Sequence, residues 1–121
     1  PLAVGAWSAS YISCAESHSF ALYADGTTDI RRPATRSEVV MTILQGFGVQ
    51  LQEPDPVKPL FTDVSASTLF APAIATAVRD GIVAGYQDAQ GKLTGYFGPE
   101  KPVNRAEVCK MLSIALQLYV K

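Results

Sequence analysis

The hydrophobic and polar residues of this chain follow a helical spacing in four segments. Within each segment, apolar residues recur every three or four positions, which places them on one face of an α-helix. The segments cover residues 7–18, 35–47, 70–80 and 104–119. Short apolar turns connect them, and no stretch alternates apolar and polar residues long enough for a strand. The pattern therefore predicts an all-α, mostly helical fold in which helix–loop–helix units pack like a bundle.

Two of the predicted helices begin with the same six-residue pattern, at residues 33–38 and 102–107. Thr35 and Asn104 are suitable N-cap residues, because a side-chain oxygen accepts hydrogen bonds from the free backbone N–H groups of the first turn. A glutamate follows three residues after each cap, where its carboxylate can reach back to the cap N–H. We expect both glutamates, Glu38 and Glu107, to act as caps. Two copies in a short chain indicate an internal repeat.

An arginine occupies the first helical position of each copy. Arg36 and Arg105 therefore stand beside backbone N–H groups that have no partner within the helix and favour an anion. A guanidinium adds a planar fork of donors that suits a carboxylate. A structural interpretation stays open, in which each arginine pairs with an acidic neighbour or packs its stem on an aromatic ring.

Five short blocks follow one another in the second half of the chain. They are Phe61-Thr-Asp-Val64, Ala73-Ile74, Asp80-Gly-Ile-Val-Ala-Gly-Tyr86, Phe97-Gly-Pro99 and Val103-Asn-Arg-Ala-Glu107. This order resembles a repeat of the S-layer homology (SLH) family. That repeat has an F-x-D-V opening, a helix, a glycine-rich turn, an F-x-P loop and a second helix opened by T-R-A-E. All five blocks are present, so the resemblance is specific.

The first half resembles the same repeat more loosely. Trp7 stands where Phe70 stands, Tyr23 stands where Tyr86 stands, and Asp25 begins an aspartate–glycine loop. The F-x-D-V opening and the glycine-rich block are missing there. Prolines separate the halves and favour an extended course. The expected organisation is a divergent repeat at residues 1–50, a proline-rich linker at 51–60 and a clear repeat at 61–121.

The resemblance implies a non-catalytic module that anchors a protein to the cell surface. In the SLH family, repeats bind a pyruvate-bearing secondary cell-wall polysaccharide, and the arginine of T-R-A-E lies in the binding groove. Aromatic rings would support the sugar, although core packing is the alternative for Tyr86 and Phe70. The candidate ligand-binding residues are Arg36, Arg105, Trp7, Tyr23, Tyr86, Asp25 and Asp88.

A rival interpretation is a structural module that assembles by protein–protein contacts. The SLH family usually presents three repeats, whereas this chain offers two. Two incomplete repeats would expose apolar faces that a second copy covers. This interpretation predicts a homo-oligomer regardless of glycan.

Charge and composition limit the classes of partner that the chain can bind. A net charge of −1 provides no basic field for nucleic acid, and no apolar run is long enough for membrane insertion. The chain shows no signal-peptide pattern, so we expect a processed segment, and an extracellular location follows only from the resemblance. A lone histidine and the absence of catalytic motifs argue against an enzyme. We expect no cofactor and no metal site.

Two cysteines, Cys14 and Cys109, lack the spacing of a metal site. We expect both to be small buried hydrophobic residues. A disulfide between them is the alternative for an extracellular protein.

Overall fold

The computed structural model describes Cys14, Ser17, Val57 and residues 32–55, 61–85 and 87–120. Three helices with defined bounds lie in this part of the chain: α1 (Arg36–Gly46), α2 (Ala71–Arg79) and α3 (Arg105–Tyr119). The described residues form isolated bridges and no extended strand. The prediction of a mostly helical fold is therefore confirmed. The helix predicted at residues 7–18 lies outside the described residues, apart from the helical Cys14 and Ser17.

Helix α1 begins and ends where its sequence signals predict. The Thr35 side chain accepts a hydrogen bond from the Glu38 backbone N–H, and the Glu38 carboxylate accepts one from the Thr35 N–H. This reciprocal pair satisfies two donors at the helix start. Phe47 ends the helix, and Gly48 follows with a φ of +68°, a conformation that glycine adopts without steric cost.

Helix α2 has no side-chain cap at its start. Phe70 takes the N-cap position in the left-handed region, with a φ of 62°, and Pro72 lies in the first turn. A left-handed residue other than glycine costs about 1–2 kcal/mol, and Phe70 offsets this cost by packing half-buried against the core. The core interpretation of Phe70 is therefore confirmed.

Helix α3 presents one face to the core and another to solvent. Asn104 caps it by accepting from the Glu107 backbone N–H at 2.9 Å. Met111 and Ala115 are buried in the hydrophobic core, and the helix packs against α1. Three leucines of the helix, Leu112, Leu116 and Leu118, are exposed, as is Val120 directly after it.

The core forms where the two halves of the described chain meet. Leu44 of α1, Ile74 of α2 and Phe97 of the connecting loop are fully buried. The rings of Phe61 and Phe97 pack with their centroids 5.3 Å apart. Burying side chains of this size contributes about 1.5–3 kcal/mol each. This cluster fixes the segments that carry the site.

Asp63 joins the two loops that contain these aromatic residues. Its carboxylate oxygens accept hydrogen bonds from the backbone N–H groups of Phe97 and Gly98, at 2.9 and 2.8 Å. Charge-assisted bonds of this kind are stronger than bonds between neutral groups. The aspartate of the F-x-D-V block therefore holds the F-x-P loop in place.

The loop between α2 and α3 contains an exposed excursion at residues 87–96. A bridge between Gln87 and Leu93 closes it. No helix in the described part of the chain is long and apolar enough to span a bilayer.

The prediction that both cysteines are buried is wrong. Cys14 and Cys109 are exposed, and no disulfide joins them. Cys109 lies on the solvent-facing side of α3, because the apolar spacing of that helix covers more than one face. Periodicity alone did not identify which of these faces packs against the core.

Candidate functional site

The two six-residue patterns lie side by side in the structure. The Val103 N–H donates to the Ala34 carbonyl at 3.3 Å, and the Arg36 N–H donates to the Lys101 carbonyl at 2.9 Å. The Ser37 N–H donates to the Pro99 carbonyl at 3.1 Å. Protein carbonyls therefore satisfy the first N–H groups of α1. The start of this helix does not offer free backbone donors to an anion.

Arg36 connects the two patterns through its side chain. Its Nη1 atom lies 2.5 Å from Oε2 of Glu107, and the arginine side chain is only 8% exposed. The guanidinium also stacks over the buried Phe97 ring, 4.9 Å from the ring centroid. This geometry includes both parts of the structural interpretation, an acidic partner and an aromatic ring. Arg36 is therefore a buried cation held in a fixed position.

Glu38 has the capping role that the sequence predicts. Its carboxylate accepts from the Thr35 N–H and pairs with both terminal nitrogens of Arg32, at 2.8 and 2.6 Å. The hydrogen bonds from Arg32 are the main cause that lowers the pKa of Glu38 below its ordinary value, and burial opposes them.

Glu107 departs from the prediction that it caps its own helix through its carboxylate. Its backbone N–H meets the Asn104 side chain, but its carboxylate turns to Arg36 instead of forming a reciprocal box. A buried guanidinium requires a charged partner more strongly than an exposed cap N–H requires an acceptor. The tertiary contact therefore determines the orientation of this side chain.

A cleft of about 300 Å³ opens beside the Arg36–Glu107 pair. One wall is the turn at residues 81–85, and the other is the face of α3 that carries Glu107, Lys110 and Met111. Gln87 also lines the cleft. The cleft therefore combines cationic side chains, an amide and a backbone-lined turn, which are groups that can bind the carboxylate and hydroxyl groups of an acidic sugar.

The turn that forms one wall is fixed by close packing. Gly85 has a φ of +92°, and a Cβ atom there would lie 2.7 Å from Phe61 Cε1 and 2.9 Å from the Tyr96 carbonyl oxygen. Only glycine fits this position without a shift. Gly81 has a φ of +77° but faces open space.

Tyr119 holds the far end of α3 to the end of α2. Its hydroxyl donates to Oδ2 of Asp80 at 2.6 Å, and its ring packs 5.7 Å from that of Phe47. Burial and the Asp80 carboxylate raise the pKa of Tyr119 well above its usual range. Hydrogen bonds from Arg79 and Tyr119 lower the pKa of Asp80. Because Asp80 directly precedes the cleft wall, this bond helps to set the spacing of the two walls.

Arg105 does not share the cleft with Arg36. It is exposed at the first position of α3, and its side chain makes no hydrogen bond or ion pair with any residue that the structure describes. Two positions along a helix correspond to a rotation of about 200°, so Arg105 and Glu107 project from nearly opposite sides of α3. The two candidate arginines therefore belong to separate surfaces.

The other candidate residues have different placements. Asp88 is exposed in the excursion, where its Oδ1 accepts from the backbone N–H groups of Gln90 and Lys92, both at 2.9 Å. This is a local turn role. The remaining candidates, Trp7, Tyr23, Asp25 and Tyr86, lie outside the described residues.

Sequence reasoning missed Lys110 and Gln87, which line the cleft. Lys110 stands three positions after Glu107, a spacing that places both side chains on one side of a helix. This spacing was visible in the sequence. The position of Gln87 depends on the closure of the excursion, which no local pattern indicates.

Comparison with known proteins supports the family resemblance. The family model described as S-layer homology domain matches residues 60–109, which include Arg105, Glu107 and the turn at 81–85. Searches of curated proteins and of solved structures found no match at the significance required. Proteins of this family are in general non-catalytic modules that anchor proteins to the cell wall. Residues 60–109 of this chain therefore match the S-layer homology domain family, as the five sequence blocks predicted.

Proposed function

We propose that this chain anchors a protein to the outside of the cell by binding an acidic, pyruvate-bearing secondary cell-wall polysaccharide without covalent chemistry. The observation that carries the proposal is the cleft beside Arg36, where buried and exposed cations lie next to a rigid glycine turn within the SLH segment. The net charge of −1 means that these placed cations, and not a general field, attract the polymer.

The two arginines contact the polymer at separate places. Arg36 supplies a fixed positive charge at the base of the cleft, and Arg105 supplies an exposed guanidinium on the other side of α3. A polymer with repeated acidic groups reaches both surfaces at once. Two linked contacts raise the overall affinity above that of either contact alone.

The remaining candidates have supporting parts in this proposal. Trp7, Tyr23 and Tyr86 provide apolar surfaces for the sugar rings. Asp25 accepts hydrogen bonds from sugar hydroxyl groups, as does Oδ2 of Asp88, whose Oδ1 is held by the local turn. Residues 61–121 supply most of the cleft lining, and the divergent first repeat at residues 1–50 contributes Arg36 to it.

The proposal is tested by sedimentation of the purified chain with cell-wall sacculi. One sample contains native sacculi, and the other contains sacculi stripped of polymers other than peptidoglycan. We expect the chain to pellet with native sacculi alone. Equal pelleting with both preparations would indicate another wall component, and pelleting with neither would contradict anchoring.

A second candidate function is assembly with another protein module. The first N–H groups of α1 dock on the Pro99 and Lys101 carbonyls, whereas the Arg105 and Ala106 N–H groups make no such bond with described residues. The same helix also exposes Leu112 and Leu116. This undocked helix start favours contact with a further repeat or a second copy.

Analytical ultracentrifugation separates the two candidates. Assembly predicts a dimer or larger oligomer without polysaccharide, and Leu116→Lys should then yield a monomer. A monomer for the original chain across the accessible concentrations would contradict self-assembly. It would leave anchoring as the function to test.

A further inference from the structure

The cleft already contains a carboxylate that competes with an acidic ligand. Glu107 accepts from Nη1 of the Arg36 guanidinium, and its side chain remains 34% exposed at the cleft. An incoming carboxylate therefore meets a negative charge beside the buried arginine. Unlike Glu38, which is held by Arg32 and by its own cap, Glu107 has no second cation within hydrogen-bonding distance among the described residues.

Lys110 provides the accessible positive charge in this cleft. It lies one turn after Glu107 on the same side of α3, and the residue is exposed. No hydrogen bond or ion pair joins its side chain to another residue that the structure describes. An ammonium on a flexible stem can approach a ligand without breaking an existing contact.

The charges along the described cleft lining are few. Arg36 and Lys110 are positive and Glu107 is negative, while the turn at residues 81–85 and Gln87 are uncharged. The pair of Arg36 and Glu107 is close to neutral as a unit. The surplus positive charge in the cleft is therefore that of Lys110.

We propose that Lys110 is a further ligand-binding residue for the acidic group, and that Glu107 limits the affinity by competing with that group for Arg36. This inference rests on the proposed binding of an acidic polysaccharide at the cleft. It assigns the ligand carboxylate to a position between Lys110 and the Arg36–Glu107 pair. An uncharged sugar would gain nothing from Lys110 and lose nothing to Glu107.

The experiment compares the affinity of three single variants for native sacculi, measured by sedimentation at increasing wall concentration. Lys110→Gln removes the accessible charge, and we expect about tenfold weaker binding, the size of one charge-assisted hydrogen bond. Lys92→Gln is the matched control, because Lys92 is an exposed lysine on the excursion outside the cleft lining. It should bind like the original chain.

Glu107→Gln tests the competition. Its amide oxygen can still accept from Arg36, but the negative charge is gone, so we expect binding about threefold tighter. Circular dichroism of each variant verifies the helical fold. Unchanged or weaker binding by a folded Glu107→Gln variant overturns the competition, and unchanged binding by Lys110→Gln overturns the ligand role of Lys110.

Pelleting of the original chain distinguishes failure of this inference from failure of the proposed function. If the original chain does not pellet with native sacculi, the anchoring proposal fails and this inference fails with it. If the original chain pellets and Lys110→Gln pellets equally well, only this inference fails. Tighter binding by Glu107→Gln together with weaker binding by Lys110→Gln supports both assignments.

Discussion

The six-residue pattern at residues 33–38 and its copy at 102–107 have the same helix-start chemistry but different surroundings. In the first copy the capping box is closed, the arginine is buried and the first N–H groups dock on protein carbonyls. In the second copy no reciprocal capping box forms, the arginine is exposed, and the Glu107 carboxylate pairs with Arg36 of the first copy. A local motif therefore fixes where a helix begins, while tertiary contacts decide whether its charges stabilise the fold or remain available to a ligand.

The largest expected difference is in the stability lost when each of the two arginines is replaced by alanine. Arg36→Ala leaves the Glu107 carboxylate without its partner and opens space above Phe97, so we expect a loss of about 3 kcal/mol in the free energy of unfolding. Arg105→Ala removes an exposed side chain and should change it by less than about 0.5 kcal/mol. Urea denaturation followed by circular dichroism measures both. Similar losses of stability for the two variants would contradict the contrast between a buried Arg36 and an exposed Arg105.

The stability costs of removing the two N-caps should differ by a smaller amount. Thr35→Ala removes the acceptor of a closed box at a half-buried position, and we expect a cost of about 2 kcal/mol. Asn104→Ala removes an exposed single cap and should cost about 1 kcal/mol. Thermal unfolding of both variants at one pH provides the test. A larger loss of stability for Asn104→Ala would contradict this order and would show that the second copy depends more on its N-cap.

The smallest expected effect is the contribution of Glu38 to the pH dependence of the free energy of unfolding. Its pKa is lowered in the folded state from an ordinary value of 4.5, so the folded state favours the charged form. The resulting stabilisation is present above pH 4.5 and is lost as the pH falls through the lower folded-state value. We expect Glu38→Gln to be less stable than the original chain at pH 7.

This difference should shrink as the pH falls below 4.5, because the original chain then loses the contribution that the variant already lacks. Urea denaturation at several pH values between 7 and 3 measures it. A difference that stays constant over this range would mean that the charge of Glu38 contributes nothing. The stabilisation would then come from hydrogen bonds that a glutamine also makes.

Much of the fold could be predicted from the sequence because its signals are local. The caps Thr35 and Asn104 and the apolar spacing predicted helix bounds that the structure matches within one or two residues. Such signals depend on backbone donors and acceptors within one turn. They therefore fix where each helix begins, even where a tertiary contact redirects one side chain, as it does for Glu107.

The site could be predicted only in part because it depends on contacts far apart in sequence. Arg36 and Glu107 are 71 positions apart, and no local pattern indicates that the glutamate leaves its own cap for this arginine. The exposure of Cys109 follows from which face of α3 packs against α1 and the core, which is also a tertiary outcome. Family resemblance identified the arginines but not their separate surfaces.

The central claim, that an acidic group on the wall polymer is what this chain recognises, is tested most directly by isothermal titration calorimetry. The chain is titrated with polysaccharide released from native sacculi, before and after mild acid removes its pyruvate ketals. We predict binding to the intact polymer and at least about tenfold weaker binding after treatment, the loss of one charge-assisted contact. Equal affinity for both polymers, or no binding to either, would contradict the claim.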